Sequence, residues 1–168
     1  MIVGLLSDTH GRADAAAIAV RLLLDRGAEQ LVHCGDVGDG AKGRAVLDAM
    51  AGRPALFVFG NNDFDERDLA RHAGDLGIAC GGHHGRLEFD GKLAVVTHGD
   101  DAKLVRKTLA EQRADYLFVG HTHVPLDRRD GRVRTVNPGA LYRATTKTVA
   151  VLDTTADAVE FLTVAVPA

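Results

Sequence analysis

The amino-acid sequence predicts an α/β fold with two sheets, and three observations carry that reading. Apolar strand-like runs alternate with helical stretches through the first half, a pattern that implies parallel strands covered by helices. Near the middle, Asp90-Gly91 separates two strand-like runs, and Asp-Gly favours the positive backbone angles of a tight hairpin turn. The tail holds three β-rich segments with no helix between them, which predicts a second, mostly antiparallel sheet.

Ile2–Ser7 is a continuous apolar run and reads as the first strand. Ala13–Gly27 is rich in Ala and Leu at helical spacing and ends on a glycine, a common helix stop. Gln30–Cys34 is strand-like, Ala41–Ala51 repeats the helical pattern, Ala55–Phe59 reads as a buried strand and Asp65–Leu76 as a helix. Arg86–Phe89 and Lys92–Thr97 flank the hairpin turn, Ala102–Arg113 is helical and Tyr116–Val119 returns to strand. Val133–Val136, Thr148–Asp153 and Val159–Val164 alternate β-branched with polar residues and complete the expected second sheet. No linker, repeat or low-complexity stretch interrupts residues 1–168, so one domain is expected.

The chain has 168 residues, 46% of them hydrophobic and 26% charged, an ordinary balance for a domain that buries its own core. Its net charge of −3 argues against a general nucleic-acid surface, which carries a marked basic excess. Met1–Leu6 is too short for a membrane span or a signal core and runs straight into Asp8 and His10. Cys34 and Cys80 form no C-x-x-C and read as reduced thiols. These features predict a cytoplasmic protein without a membrane partner.

Six clusters place carboxylate, imidazole or amide groups after apolar stretches: Asp8-Thr9-His10, Gly35-Asp36, Gly60-Asn61-Asn62-Asp63, Thr97-His98-Gly99, Gly120-His121-Thr122-His123 and Asn137-Pro138-Gly139. In parallel α/β folds, functional side chains gather beyond the carboxyl ends of strands, so the clusters can converge. In extended backbone, residues two apart face the same way, so Asp8 with His10 and His121 with His123 are each expected to present two groups together. Asp8, His10, Asp36, Asn61, His98, His121 and His123 form an oxygen and nitrogen set large enough for two adjacent divalent metal ions. The absence of cysteine from the set suits manganese, iron, cobalt, nickel or zinc in an open site rather than a closed structural zinc.

The order and spacing of these clusters resemble the calcineurin-like metallophosphoesterase superfamily, in which D-x-H, G-D, G-N-H-D/E, H-G and G-H-x-H follow one another. The likeness runs from Asp8 to Asn137-Pro138-Gly139, and the small size is similar to the compact bacterial and archaeal phosphodiesterases. It implies a four-layer α-β-β-α sandwich of two mixed sheets packed face to face with helices outside. It also implies one ion held by Asp8, His10, Asp36 and His123, a second held by Asp36, Asn61, His98 and His121, and Asp36 bridging them. Manganese is the ion expected first, with nickel, iron, cobalt and zinc compatible. A hydroxide activated by the two metals would attack the phosphorus of a small phosphodiester.

Within that resemblance, Asn62 and Asp63 occupy the catalytic positions, and Asn62 and Arg143 are the expected substrate contacts. Asn62 stands where many members carry a histidine, and an amide cannot donate a proton as an acid near neutrality. The expectation is activity biased toward esters with acidic leaving groups. Asp63 reads as a carboxylate that orients a neighbouring histidine or the loop. His83-His84 reads as a solvated loop, His33 as a core histidine and His72 as a surface one. Gly35–Gly40 lacks the lysine of a phosphate-binding P-loop. The alternatives are a non-catalytic scaffold of the same fold, or a hydrolase of phosphomonoesters or nucleoside polyphosphates. The resemblance is also compatible with a homodimer.

Overall fold

The computed structural model describes residues 1–166. In chain order the elements are β1 (Ile2–Leu6), α1 (Ala13–Asp25), β2 (Gln30–His33), α2 (Gly40–Met50), β3 (Ala55–Phe57), α3 (Glu66–Asp75) and β4 (Ala79–Cys80). There follow β5 (His84–Phe89), β6 (Lys92–Thr97), α4 (Ala102–Glu111), β7 (Tyr116–Phe118), β8 (Leu126–Asp130), β9 (Val133–Asn137), β10 (Thr148–Asp153) and β11 (Ala158–Thr163). The first sheet runs β11-β10-β1-β2-β3-β4 and the second β5-β6-β7-β9-β8. None of the described helices is long and apolar enough to cross a membrane.

Alternating side chains separate the layers. Val3, Leu5, Val32 and Leu56 pack against Ala94, Val96, Tyr116, Phe118 and Val136 of the second sheet, closing the space between the two. On the opposite face of the first sheet, Leu6, Leu31, Phe57, Val149 and Val151 meet Ala16, Ala19 and Leu23 of α1, Val46 and Leu47 of α2 and Leu69 of α3. Leu117, Val119 and Val133 carry Val105 and Leu109 of α4 on the far side of the second sheet. The result is the expected four layers, each bonded to the next by apolar burial.

Two expectations about the tail are corrected. β10 and β11 belong to the first sheet, where β10 pairs antiparallel with β1 from Ile2↔Asp153 to Leu5↔Ala150. The second sheet is not mostly antiparallel, because β6-β7 and β7-β9 are both parallel and only the flanking β5-β6 and β8-β9 pairs are antiparallel. Residue patterns report which face of a strand is buried, whereas its partner is chosen by contacts far away in sequence. The hairpin stands as expected: Phe89 pairs with Lys92, and Asp90 and Gly91 both have positive φ. His84 opens β5 rather than lying in a loop, while exposed His83 sits 3.2 Å from Glu66.

This topology positions the clusters. β1, β2 and β3 are mutually parallel in one sheet, and β6, β7 and β9 are mutually parallel in the other. Each of these six strands is followed directly by one of the polar clusters, and both sheets deliver them to one edge of the sandwich.

Candidate metal centre

The first two loops are zipped together by backbone. Asp8 N–H donates to the Gly35 carbonyl at 3.0 Å, His10 N–H to that of Asp36 at 2.9 Å and Gly11 N–H to that of Val37 at 2.7 Å. Side chains reinforce the zipper. Gly35 N–H donates to His33 Nδ1 at 3.2 Å, so that nitrogen is an acceptor and the imidazole proton belongs on Nε2. Nε2 then donates to Thr9 Oγ1 at 2.9 Å, and the Thr9 hydroxyl donates to the Val37 carbonyl at 2.9 Å. Burial holds His33 neutral, with its pKa lowered to about 3. His33 is thus the core histidine expected from sequence, and Thr9 is a positioning residue that the motif reading passed over.

Asp8, His10, Asp36, His121 and His123 all have positive φ. The paired groups are therefore not presented by extended backbone, as expected from two-residue spacing, but by left-handed turns. Asp and His tolerate that region better than most side chains, and strain of this kind collects at functional sites. Two glycines let the loops close up. A Cβ on Gly60 would lie 2.1 Å from Asp36 Oδ1, and one on Gly120 would lie 2.0 Å from Ser7 Oγ and 2.7 Å from Asp8 Oδ2.

The donor atoms converge. Asp36 Oδ2 lies 3.4 Å from both His10 Nε2 and His98 Nε2, and Asp8 Oδ1 lies 3.1 Å from His123 Nε2 and 4.0 Å from His98 Nε2. Asp8, His10 and His123 form one group, and Asp8, Asp36 and His98 another, whose ligand atoms all lie within 4.8 Å of one another. Asp8 is common to both groups, and Asp36 sits between one histidine of each expected set. His121 reaches the cluster through its ring, 5.1 Å from that of His98, and through its N–H, which donates to Asp8 Oδ2 at 3.1 Å. Asn61 is exposed in the turn after Gly60 and is not among the residues lining the cleft.

Three of the converging atoms, Asp8 Oδ1, His10 Nε2 and His98 Nε2, are buried without a hydrogen-bond partner. Orphaned buried polar atoms cost roughly 1–3 kcal/mol each unless something binds them. His98 Nδ1 donates to the Cys34 carbonyl at 2.9 Å, which turns Nε2 toward the carboxylates. Burial raises the pKa of Asp8 and lowers that of His10. Burial also works against a charged His98, yet Asp36 and Asp8 outweigh it and raise its pKa to about 9. For Asp36, burial pushes upward, but His98 and Asn62 hold it well below the usual carboxylate range. Two buried carboxylates facing unbonded imidazole nitrogens are the environment that a divalent cation relieves, so the residues fit the expected metals.

Asn62 donates from its backbone N–H to Asp36 Oδ1 at 2.9 Å and from its side-chain amide to Asp36 Oδ2 at 2.8 Å. Asp63 is buried and accepts from Gly38 N–H at 2.8 Å and Gly60 N–H at 2.9 Å. Of its two expected roles, it serves the loop rather than a histidine. Asn137 donates to the Gly120 carbonyl at 2.7 Å and accepts from Gly139 N–H at 2.9 Å, tying the β7 and β9 loops together. Cys34 is buried in the inter-sheet core and Cys80 is exposed, and both are free thiols. His72 is a partly buried surface residue, paired with Asp48 at 2.7 Å.

Beside the cluster opens a cleft of about 700 Å³, lined by His10, Asp36, Asn62, His121 and His123 together with Arg12, Lys42, Tyr142 and Arg143. The Arg143 guanidinium carbon lies 5.2 Å from the Tyr142 ring centroid, and that ring lies 5.0 Å from His10. Arg143 was expected from sequence. Arg12, Lys42 and Tyr142 were not, and only the adjacency of Tyr142 to Arg143 offered a signal.

A family model described as the calcineurin-like phosphoesterase superfamily domain matches residues 1–157. The chain is 25% identical over 159 residues to a phosphodiesterase of Methanocaldococcus jannaschii, covering 92% of this chain and 93% of that one. Among solved structures it resembles a novel archaeal phosphodiesterase with a TM-score of 0.88 at 23% identity, covering 97% and 99% of the two chains. It also resembles YfcE, a phosphoesterase from E. coli, with a TM-score of 0.66 at 19% identity, covering 98% and 100%. Six loops in the expected order, on two sheets that share one site, agree with the family match over nearly the whole length: the chain belongs to the calcineurin-like phosphoesterase superfamily.

Proposed function

We propose that the protein is a metal-dependent phosphodiesterase using two divalent cations, with manganese the first to test. The observation that carries this reading is the set of buried, unpartnered ligand atoms on Asp8, His10 and His98, beside a cleft that His10 and Asp36 line. The phosphodiesterase of Methanocaldococcus jannaschii supports the choice of diesters. Asp8, His10, Asp36 and His123 would hold one ion, and Asp36, Asn61, His98 and His121 the other. Two cations there supply Lewis acidity toward phosphate oxygens and a water acidic enough to ionise near neutral pH.

The chain's own groups shape the rest. Asn62 fixes both oxygens of Asp36 and so orients the carboxylate shared between the two ligand sets. Asp63 fixes the two turns on which Asp36 and Asn62 stand. Arg143 offers a guanidinium to a substrate phosphate, the geometry for which arginine is suited. With an amide at position 62, no acid stands there to protonate the departing oxygen, so diesters of acidic alcohols are the favoured substrates.

The test is hydrolysis of bis(p-nitrophenyl) phosphate by metal-stripped protein with manganese, nickel or zinc restored, alongside Asp36→Asn. Metal-dependent turnover that disappears in the variant supports the reading. Tight metal binding without turnover on any diester would overturn it in favour of a binding role.

A further inference from the structure

The cleft is more basic than the chain that contains it. Overall the chain carries a net charge of −3, yet the cleft lining includes Arg12, Lys42 and Arg143 against a single carboxylate, Asp36. Arg12 is already neutralised by Asp14, to which its Nε and Nη2 donate at 2.9 and 2.7 Å. Lys42 and Arg143 are not: among the described residues neither lies within ion-pair distance of a carboxylate.

Both side chains are exposed, and their backbones are fixed beside the cleft. Lys42 sits in the first turn of α2, and that turn is pressed onto the Asp36 loop: a Cβ on Gly43 would lie 1.9 Å from the Gly38 carbonyl oxygen. The Lys42 stem covers Gly11, where an added Cβ would lie 2.7 Å from the Lys42 Cβ. Arg143 has a positive φ, costly for a side chain of that size, and its guanidinium stacks over Tyr142. A cleft of about 700 Å³ also falls among small-molecule sites, which span about 300–1,000 Å³, and has room for more than one phosphate.

We propose that Lys42 and Arg143 clamp a second anionic group, so that the substrate is a phosphodiester bearing a further phosphate on one ester arm. This rests on the phosphodiesterase reading above and deepens it by naming the substrate class. The metal cluster receives the diester, and Lys42 and Arg143 receive the additional phosphate, with arginine engaging two oxygens and lysine acting as a point charge. Tyr142 adjoins both stations, its ring 5.0 Å from that of His10 and 5.2 Å from the Arg143 guanidinium carbon.

The experiment compares thymidine 5′-(p-nitrophenyl phosphate) with the same ester carrying a 3′-phosphate, which share a leaving group and differ by one phosphate. Wild type is expected to show kcat/KM about tenfold higher on the 3′-phosphorylated ester, the worth of one charge-assisted contact. That ratio should fall toward unity in Lys42→Ala and in Arg143→Ala, and Lys42→Arg should keep most of it. A wild-type ratio at or below unity, or a ratio unchanged in both alanine variants, overturns the proposal. Taking the ratio removes any general loss of activity. If neither ester nor bis(p-nitrophenyl) phosphate is cleaved, the phosphodiesterase reading has failed by itself. Calorimetric binding of thymidine 3′,5′-bisphosphate against thymidine 5′-monophosphate then tests the clamp directly. A preference for the bisphosphate that Lys42→Ala abolishes supports it, and the lack of a preference overturns it.

Discussion

Acid should destabilise the metal-stripped protein through His33, and the size of the effect follows from its burial. In the folded chain the ring is fully buried and neutral, accepting from Gly35 and donating to Thr9, with its pKa lowered to about 3 from an ordinary 6.5. Below pH 6.5 the unfolded chain takes up a proton that the folded chain refuses, so stability falls as pH falls, down to about 3. At about 1.36 kcal/mol per unit, lowering the pH from neutral to about 4.5 costs roughly 3 kcal/mol. Asp8 and Asp63, whose pKa values burial raises, act in the opposite sense. They are common to wild type and to His33→Gln, which cannot titrate but keeps a donor and an acceptor. Urea unfolding of both proteins at about pH 7.5 and about pH 4.5 isolates His33, and wild type should lose roughly 3 kcal/mol more than the variant. Equal losses would refute the assignment of His33 as a neutral, relay-bound ring.

Three further outcomes are expected. Gly60→Ala forces a Cβ to 2.1 Å from Asp36 Oδ1, so metal affinity measured by calorimetry should drop by about 10- to 100-fold while the circular dichroism spectrum stays native; unchanged affinity would show that Asp36 does not need that approach. Asp63→Ala strands the Gly38 and Gly60 N–H groups, and chemical denaturation should show a loss of about 2–4 kcal/mol. Asn62→His should raise turnover of alkyl or nucleoside diesters by at least about tenfold relative to nitrophenyl diesters, because only poor leaving groups need an acid. A uniform change across both ester types would remove leaving-group protonation from the account of this position.

How much was legible depended on how local each feature is. The Gly-Asp, Gly-Asn and Gly-His steps are readable because each candidate ligand sits next to a glycine, and both residues lie in one short window. The four helices and the Asp90-Gly91 hairpin are equally local, set by periodicity and turn chemistry. β4 is only two residues long and β8 is a largely charged edge strand from Leu126 to Asp130 with no apolar pattern, and both escaped notice. Extended spacing was the wrong reason for grouping Asp8 with His10, since backbone angles of loops depend on the hydrogen bonds made across to Gly35 and Asp36.

From the chain order alone come the family, the candidate ligands and the departure at Asn62, because motif identity survives without coordinates. Folding decided the rest. It placed β10 and β11 beside β1, made β6, β7 and β9 parallel so that their loops share an edge with those of β1, β2 and β3, and closed the Gly35–His33–Thr9 relay. It also brought Lys42 of α2 to the same cleft as Arg143, a juxtaposition of residues distant in the chain. Such pairings rest on burial and hydrogen bonding between remote segments, and these energies exist only once the layers have packed.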